Sequence, residues 1–358
     1  MRGLVTIGAV LVVLLTSVGQ ASSDAPPMQA LAVTPSVVSD GSATVTGDMS
    51  DSSTLQLNVG LGVRDSDALD ALIAAASTPG SPDYGDYLTH DEYMADYAPT
   101  GDDVDAVRAW LTSQGLDVTT VSPDNLIVGV QGTVGAVEQA FGVSIDQYRA
   151  DGVSFHSATS DPSVPATLDI SSISGLDNLT KYTASGIDSI PYAGGAFGRD
   201  FRSGYNVTGN ATGQTIGFTL WGEPVPQSDL TNYYNADVTA TGSSFAAPEL
   251  TIGTSGADTV DFETVDNSTP STDTCVEDET AMDVETAHAM APSSHLEYWL
   301  GYTTQPGDCT SDGASNSEME DVLDAAATST VSIISNSWGC NTSSPYDCPV
   351  DSTMESEL

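Results

Sequence analysis

Leu55-Gln-Leu-Asn-Val-Gly-Leu61 alternates apolar residues with polar or small ones. Successive side chains of an extended chain point to opposite faces, so this stretch reads as a strand with one face in a core. Working outward, residues 65–76 carry Leu69, Leu72 and Ile73 at helical spacing, and residues 102–114 carry Val104, Val107 and Leu111 on one helical face. Between them, Gly80-Ser-Pro-Asp-Tyr-Gly-Asp-Tyr-Leu88 is rich in turn formers. Residues 116–121 and 125–130 read as short strands joined by Ser122-Pro-Asp124. Residues 133–141 read as a helix and residues 143–148 as a strand. Strand, helix, strand, strand, helix, strand is the order of a split βαβ unit, so an α+β ferredoxin-like domain is expected over 54–178.

The second half has a different rhythm. Thr215-Ile-Gly-Phe-Thr-Leu220 reads as a buried strand, residues 228–234 as the start of a helix and residues 249–252 as a strand. His295-Leu-Glu-Tyr-Trp-Leu300 and Thr330-Val-Ser-Ile-Ile-Ser335 read as strands flanking a helix over 318–327. Strands alternating with helices imply an α/β unit built on a parallel sheet.

The charge balance narrows the setting. The 358 residues hold 7 Lys and Arg against 50 Asp and Glu, a formal net charge of -43. That sign repels phosphate and excludes nucleic acid and anionic membranes as partners. Scattered carboxylates stay hydrated in high salt, where their mutual repulsion is screened. That halophilic-like setting is preferred to an acidic one, which would protonate many of them. Arg2 precedes an uncharged run over 4–18, and Gly19-Gln-Ala21 offers small residues for cleavage. Residues 1–21 therefore read as a signal peptide of a secreted, extracellular protein. The run is short for a span, so no stable membrane anchor is expected. Residues 22–53, rich in Ser, Ala, Pro and Thr, read as loose. Disulfides are the default for the four cysteines of an exported chain. Sequence proximity alone favours Cys275 with Cys309 and Cys340 with Cys348. The spacing does not suit a metal site.

Several stretches carry a resemblance. Ser81-Pro-Asp-Tyr-Gly-Asp-Tyr-Leu-Thr89, Tyr97-Ala-Pro99, Trp110-Leu-Thr-Ser-Gln-Gly-Leu116, Gly132-Thr-Val-Gly-Ala-Val-Glu-Gln-Ala-Phe-Gly-Val143 and Val164-Pro-Ala-Thr-Leu168 follow one another as in sedolisin-type (serine-carboxyl peptidase) precursors. There, the pro-kumamolisin activation domain aids folding and blocks the cleft until it is removed. The resemblance implies that residues 54–178 are such a domain, bound to the chain's own catalytic domain. Its aromatics Tyr84, Tyr87, Tyr97 and Trp110 read as packing residues. Residues 179–195 read as a connector cut on maturation, and residues 196–358 as a partial, subtilisin-like peptidase domain. Phe201-Arg-Ser-Gly-Tyr-Asn206 resembles the entry of that domain.

Thr274-Cys-Val-Glu-Asp-Glu-Thr-Ala-Met-Asp-Val-Glu-Thr-Ala-His-Ala-Met-Ala-Pro292 holds Glu279 and Asp283 one helical turn apart. About 7 acidic pairs at this spacing arise by chance in so acidic a chain, so the pair alone means little. By resemblance, Glu279 is the general base for a serine nucleophile and Asp283 tunes it. A carboxylate base, with an ordinary pKa of about 4.3, works where histidine is already protonated. His288 reads as a packed helix end. Ser332-Ile-Ile-Ser-Asn-Ser-Trp-Gly339 resembles the cleft strand, which makes Ser335, Ser337, Trp338 and Gly339 candidates to bind an extended protein or peptide substrate. Thr241-Gly-Ser-Ser-Phe-Ala-Ala-Pro248 copies the spacing of the family's nucleophile signature, but it precedes the carboxylate pair, so Ser244 reads as a decoy. On this reading the chain stops before the nucleophile, the oxyanion aspartate and the calcium ligands of a complete family member. Two rivals stand beside it: a non-catalytic, peptide-binding or inhibitory module, and a different hydrolase using Ser244.

Overall fold

The computed structural model describes residues 26–179, 182–184, 198–221, 224–241, 249–251, 259–264, 277–301, 316–327, 329, 331 and 333–340. The expected signal peptide and residues 242–248, which include Ser244, lie outside these residues, as do all four cysteine side chains and most of the connector.

The first half contains β1 (Met28–Ala30), α1 (Ser36–Ser39), β2 (Thr44–Asp48), β3 (Thr54–Leu61), α2 (Ser66–Ser77), α3 (His90–Asp96), α4 (Gly101–Ser113), β4 (Asp117–Val121), β5 (Ile127–Thr133), α5 (Val134–Phe141), β6 (Ile145–Ala150), β7 (Val153–Ala158), β8 (Ser163–Pro165) and β9 (Ile170–Ser174). Strands β4, β5, β3 and β9 form an antiparallel sheet in that order. Leu55, Leu57, Val59 and Leu61 of β3 join one core with Val104, Val107 and Leu111 of α4 and Val134, Val137 and Phe141 of α5. Local chemistry fixes the helix starts. Thr100 and Asp103 form a reciprocal capping box on α4, Thr89 and Glu92 form one on α3, and Thr133 caps α5. Gly142, at a φ of 69°, ends α5 in the left-handed region where glycine carries no Cβ penalty.

Three expectations need correction. The strand expected over 143–148 forms as β6, but it pairs with β2 and β7 in a separate sheet. The place beside β3 belongs to β9, whose register sets Asn58 opposite Ser174. The segment read as loose holds β1, paired with β8, and β2, paired with β6. Composition cannot reveal these strands because their hydrogen-bond partners lie far away in sequence. Among the aromatics, Trp110 packs edge-on against Phe141, whereas Tyr84 and Tyr87 are 57% and 70% exposed.

The second half contains β10 (Tyr182–Ala184), α6 (Gly198–Gly204), β11 (Thr215–Trp221), α7 (Gln227–Thr241), β12 (Glu249–Thr251), β13 (Thr259–Thr264), α8 (Glu277–Met290), β14 (His295–Gly301), α9 (Asn316–Ala327), β15 (Ile334–Asn336) and β16 (Trp338–Cys340). Strands β12, β13, β14, β11 and β15 form a parallel sheet in that order. The strand expected over 330–335 is shorter and lies later, as β15 beside β11. The core of this half joins Phe218, Leu220 and Trp221 of β11 to Leu296, Tyr298 and Trp299 of β14. Met319, Val322, Leu323 and Ala326 of α9 pack on them. The chain is thus a mixed α and β protein with separate cores for its two halves. Among the described residues, no helix is long and apolar enough to cross a membrane.

Gly217 shows how tightly this sheet is filled. A Cβ there would sit 2.5 Å from the Trp299 ring and 3.1 Å from Val331. Gly217→Ala should therefore cost about 1–3 kcal/mol of stability through overpacking. A lowered thermal unfolding midpoint is the expected reading, and an unchanged midpoint would contradict it.

Candidate active site

Helix α8 lies against β11 and is held at its far end by α6. Gly198 permits that contact, because a Cβ there would collide with the Cβ of Ala289. The buried Arg202 guanidinium donates to the carbonyls of Met290, the last residue of α8, and Gly209, and to Asn210 Oδ1. A cation at a helix C-terminus satisfies carbonyls that lack intrahelical partners and complements the helix dipole. Beside it, the buried His288 shares a hydrogen bond of 2.5 Å between Nδ1 and the Tyr234 hydroxyl, with the rings edge to face. That geometry is a packed helix end, away from the carboxyl pair.

Glu279 and Asp283 lie on the α8 face turned to the sheet. Glu279 is 5% exposed, and its Oε2 is buried with no hydrogen-bond partner among the described residues. Asp283 Oδ2 accepts from the Tyr298 hydroxyl at 3.1 Å, and Asp283 Oδ1 accepts from the Ser337 hydroxyl at 2.7 Å. Tyr298 comes from β14 and stacks on Phe218 of β11, with ring centroids 5.3 Å apart. Ser337 follows β15 on the other side of β11. Two strands therefore clamp one carboxyl of the helix.

Burial dominates the electrostatics. It pushes the Glu279 carboxyl up to about 7, helped by the Asp283 charge and opposed by the Ser337 hydroxyl. Burial also raises Asp283, against the lowering effect of its hydrogen bonds from Ser337 and Tyr298. On the other face of α8, burial and then the Asp229 charge push Glu285 up to about 8. In this arrangement the pair retains a proton in acid. An ionised Glu279, as a general base requires, needs a further donor, and a hydroxyl aimed at Oε2 would lower its pKa.

Ser335 lies on β15, Trp338 and Gly339 on β16, and Ser337 between them, where its hydroxyl reaches Asp283. Trp338 Nε1 donates to Thr219 Oγ1 at 3.0 Å, and Thr219 in turn donates to Asn336 Oδ1. Ser337 is thus engaged with Asp283 itself. Gly339 pairs with Thr183 in the antiparallel ladder of β10 and β16. Tyr298 and Thr219 carry no signal in the sequence. Both look like ordinary strand residues until the register sets Phe218 beside Tyr298 and Thr219 beside Asn336. Among the described residues, no cluster of three or more His, Cys, Asp or Glu is placed to hold a metal ion.

Two outcomes follow from these environments. Asp283→Asn removes a like charge and should lower the Glu279 pKa from about 7, whereas Ser337→Ala removes a donor and should raise both carboxyls. Carboxyl carbon NMR titration reads either shift. Glu279 and Glu285 have raised folded-state pKa values, so their stabilising effect is complete below the ordinary glutamate value of 4.5. It is lost as pH rises through about 7 and about 8. The thermal midpoint should fall across that window, and Glu285→Gln should flatten its upper part.

Comparison with known proteins finds similarity over part of the chain. Residues 42–179 match the family described as "Pro-kumamolisin, activation domain". The chain is 35% identical over 132 residues to xanthomonalisin of Xanthomonas sp. (strain T-22), covering 36% of this chain and 16% of that protein. It is 31% identical over 151 residues to sedolisin of Pseudomonas sp. (strain 101), covering 42% of this chain and 26% of that protein. It is 33% identical over 122 residues to tripeptidyl-peptidase sed4 of Aspergillus fumigatus, covering 34% of this chain and 20% of that protein. The chain spans about a quarter or less of the length of these relatives. Residues 42–179 thus match a pro-kumamolisin activation domain, and the chain is similar over about a third to two fifths of its length to sedolisin-type peptidases.

Proposed function

We propose that this chain is the precursor of a secreted, acid-acting serine-type (serine-carboxyl) endopeptidase that cleaves protein or peptide substrates through an acyl-enzyme. The observation that carries the reading is the buried carboxyl pair Glu279 and Asp283, tied by Ser337 to the strand segment that leads into the cleft ladder. Glu279 takes the proton of a serine hydroxyl as that oxygen attacks the peptide carbonyl. Asp283, fixed by Tyr298 and Ser337, orients Glu279 and tunes it. The nucleophile and the oxyanion aspartate are not assigned among these residues, and Ser244 remains a decoy in this reading. Calcium belongs to the expectation for a complete family member. The described residues offer it no fitting site, so no step runs through it.

In this proposal residues 54–178 are a ferredoxin-like activation domain and residues 196–358 belong to a subtilisin-like peptidase domain. The strand order β4, β5, β3, β9 supports the former and the parallel sheet with α8 and α9 supports the latter. The connector, residues 179–195, contributes β10, which lies antiparallel along Trp338–Cys340. Backbone pairing of that kind gives affinity for any extended peptide. The connector thereby keeps a strand of the chain where substrate would lie.

A peptide-hydrolysis assay in acid tests the reading, run on this chain and on a version continued to the next stop codon. Glu279→Gln should lower turnover of the continued form by about 10²–10⁴-fold, the usual worth of a general base. Undiminished activity in that variant would overturn the assignment. Activity of the short chain that is lost in Ser244→Ala would establish the rival hydrolase instead. Inactivity of both lengths, with tight peptide binding, would favour the non-catalytic module.

A further inference from the structure

Tripeptides of the form Asn-x-Ser or Asn-x-Thr begin at Asn178, Asn206, Asn210, Asn267 and Asn341, the last two outside the described residues. The pattern is the acceptor for N-linked sugar in exported chains, and it also arises by chance. The structure separates the other three. Asn178 Oδ1 accepts from the His156 amide at 2.8 Å, and Asn210 Oδ1 accepts from Arg202 Nη2 at 3.3 Å, so both carboxamides are held against the protein. Asn206 is used differently. Its amide donates to the Ser203 carbonyl at 3.2 Å, and the Val207 amide donates to the Arg202 carbonyl at 2.8 Å. These two bonds close the end of α6 with Asn206 in the left-handed region, at a φ of 53°. Only the backbone serves that cap. Asn206 and Thr208 are both exposed, and the Asn206 carboxamide bonds to none of the described residues.

The surface beside Asn206 is apolar. Tyr205 is 77% exposed, and Phe201, whose carbonyl accepts from the Tyr205 amide, is 42% exposed. Residues four apart share one helix face, so the two aromatics sit together on the solvent side of α6. The opposite side meets α8 through Gly198 and Arg202. Neighbouring exposed aromatics on so acidic a surface mark a place where something packs. We propose that Asn206 carries an N-linked oligosaccharide whose first sugars lie over Tyr205 and Phe201, an inference that rests on the reading of the chain as exported. The C–H face of a sugar ring packs on the electron-rich face of an aromatic ring while its hydroxyls stay in water. Attachment exchanges one bond for another. Asn206 Nδ2 attacks the anomeric carbon of a sugar carried on a polyprenyl phosphate. The C–N bond forms, the bond from that carbon to the phosphate oxygen breaks, Nδ2 gives up one proton, and the lipid phosphate leaves as its anion. The folded protein has only to leave room for the sugar, and the exposed end of α6 does so.

Peptide mass spectrometry of the full chain made in its own host tests this without reference to peptidase activity. The peptide holding Asn206 should carry the added mass of the sugar. That mass should vanish in Asn206→Gly, which keeps the left-handed helix cap, and in Thr208→Val, which removes the acceptor hydroxyl. It should persist in Thr208→Ser. The sugar should raise the thermal midpoint over that of Thr208→Val by about 2 °C, the effect of a single ring contact. Tyr205→Ala should keep the sugar and abolish that difference, since the cycle of variants cancels whatever Thr208→Val does by itself. An unmodified Asn206 in chain recovered from outside the cell would overturn the proposal alone. Chain retained inside the cell and unmodified would overturn it together with the reading of export. Sugar confined to Asn178 or Asn210 would overturn it as well. A midpoint difference untouched by Tyr205→Ala would overturn the placement of the sugar on the aromatic pair.

Discussion

Asp283 accepts hydrogen bonds from two strands at once, from Tyr298 of β14 and from the residue that follows β15. The rest of the candidate site depends on this cross-link. It turns one face of α8 to the sheet and so buries Glu279 one turn earlier. It also requires β14 and β15 to flank β11 in fixed register, which Gly217 permits by leaving room for the Trp299 ring. At the other end of the helix Arg202 satisfies the Met290 carbonyl, so α8 is fixed along its length.

The chain solves two opposite problems with the same residue types. Outside, scattered carboxylates keep a protein of net charge -43 hydrated. Inside, burial raises the carboxyls of Glu279, Glu285 and Asp324 until they favour their protonated forms. Acid therefore suits the interior of this protein, and salt suits its surface. Helix α9 belongs to the second half yet carries Glu320 and Asp321 into a contact with Asn58 and Ser174 of the first.

The element types were legible wherever local pattern and local chemistry agree. The alternation of Leu55 to Leu61, the apolar stripe of Val104, Val107 and Leu111, and the cap at Thr133 each act within a few residues. Pairing was less legible. Residues 145–150 have the pattern of a strand, but which sheet receives them depends on β2 and β7. The same limit applies at the site. The spacing of Glu279 and Asp283 is visible in the sequence, whereas the hydroxyl of Tyr298 reaches Asp283 only because two strands align Phe218 with Tyr298.

By itself, the sequence determined the acidic surface, the two rhythms of secondary structure and the shared helix face of the carboxyl pair, because each is set by residue type and by short-range periodicity. The tertiary structure alone decided that β9 takes the place beside β3 and that Ser337 faces Asp283. It also decided that α9 presents carboxyls to Asn58 and Ser174. Each of these joins residues distant in the chain, and their pKa values and hydrogen bonds come from burial that exists only once the two cores have formed.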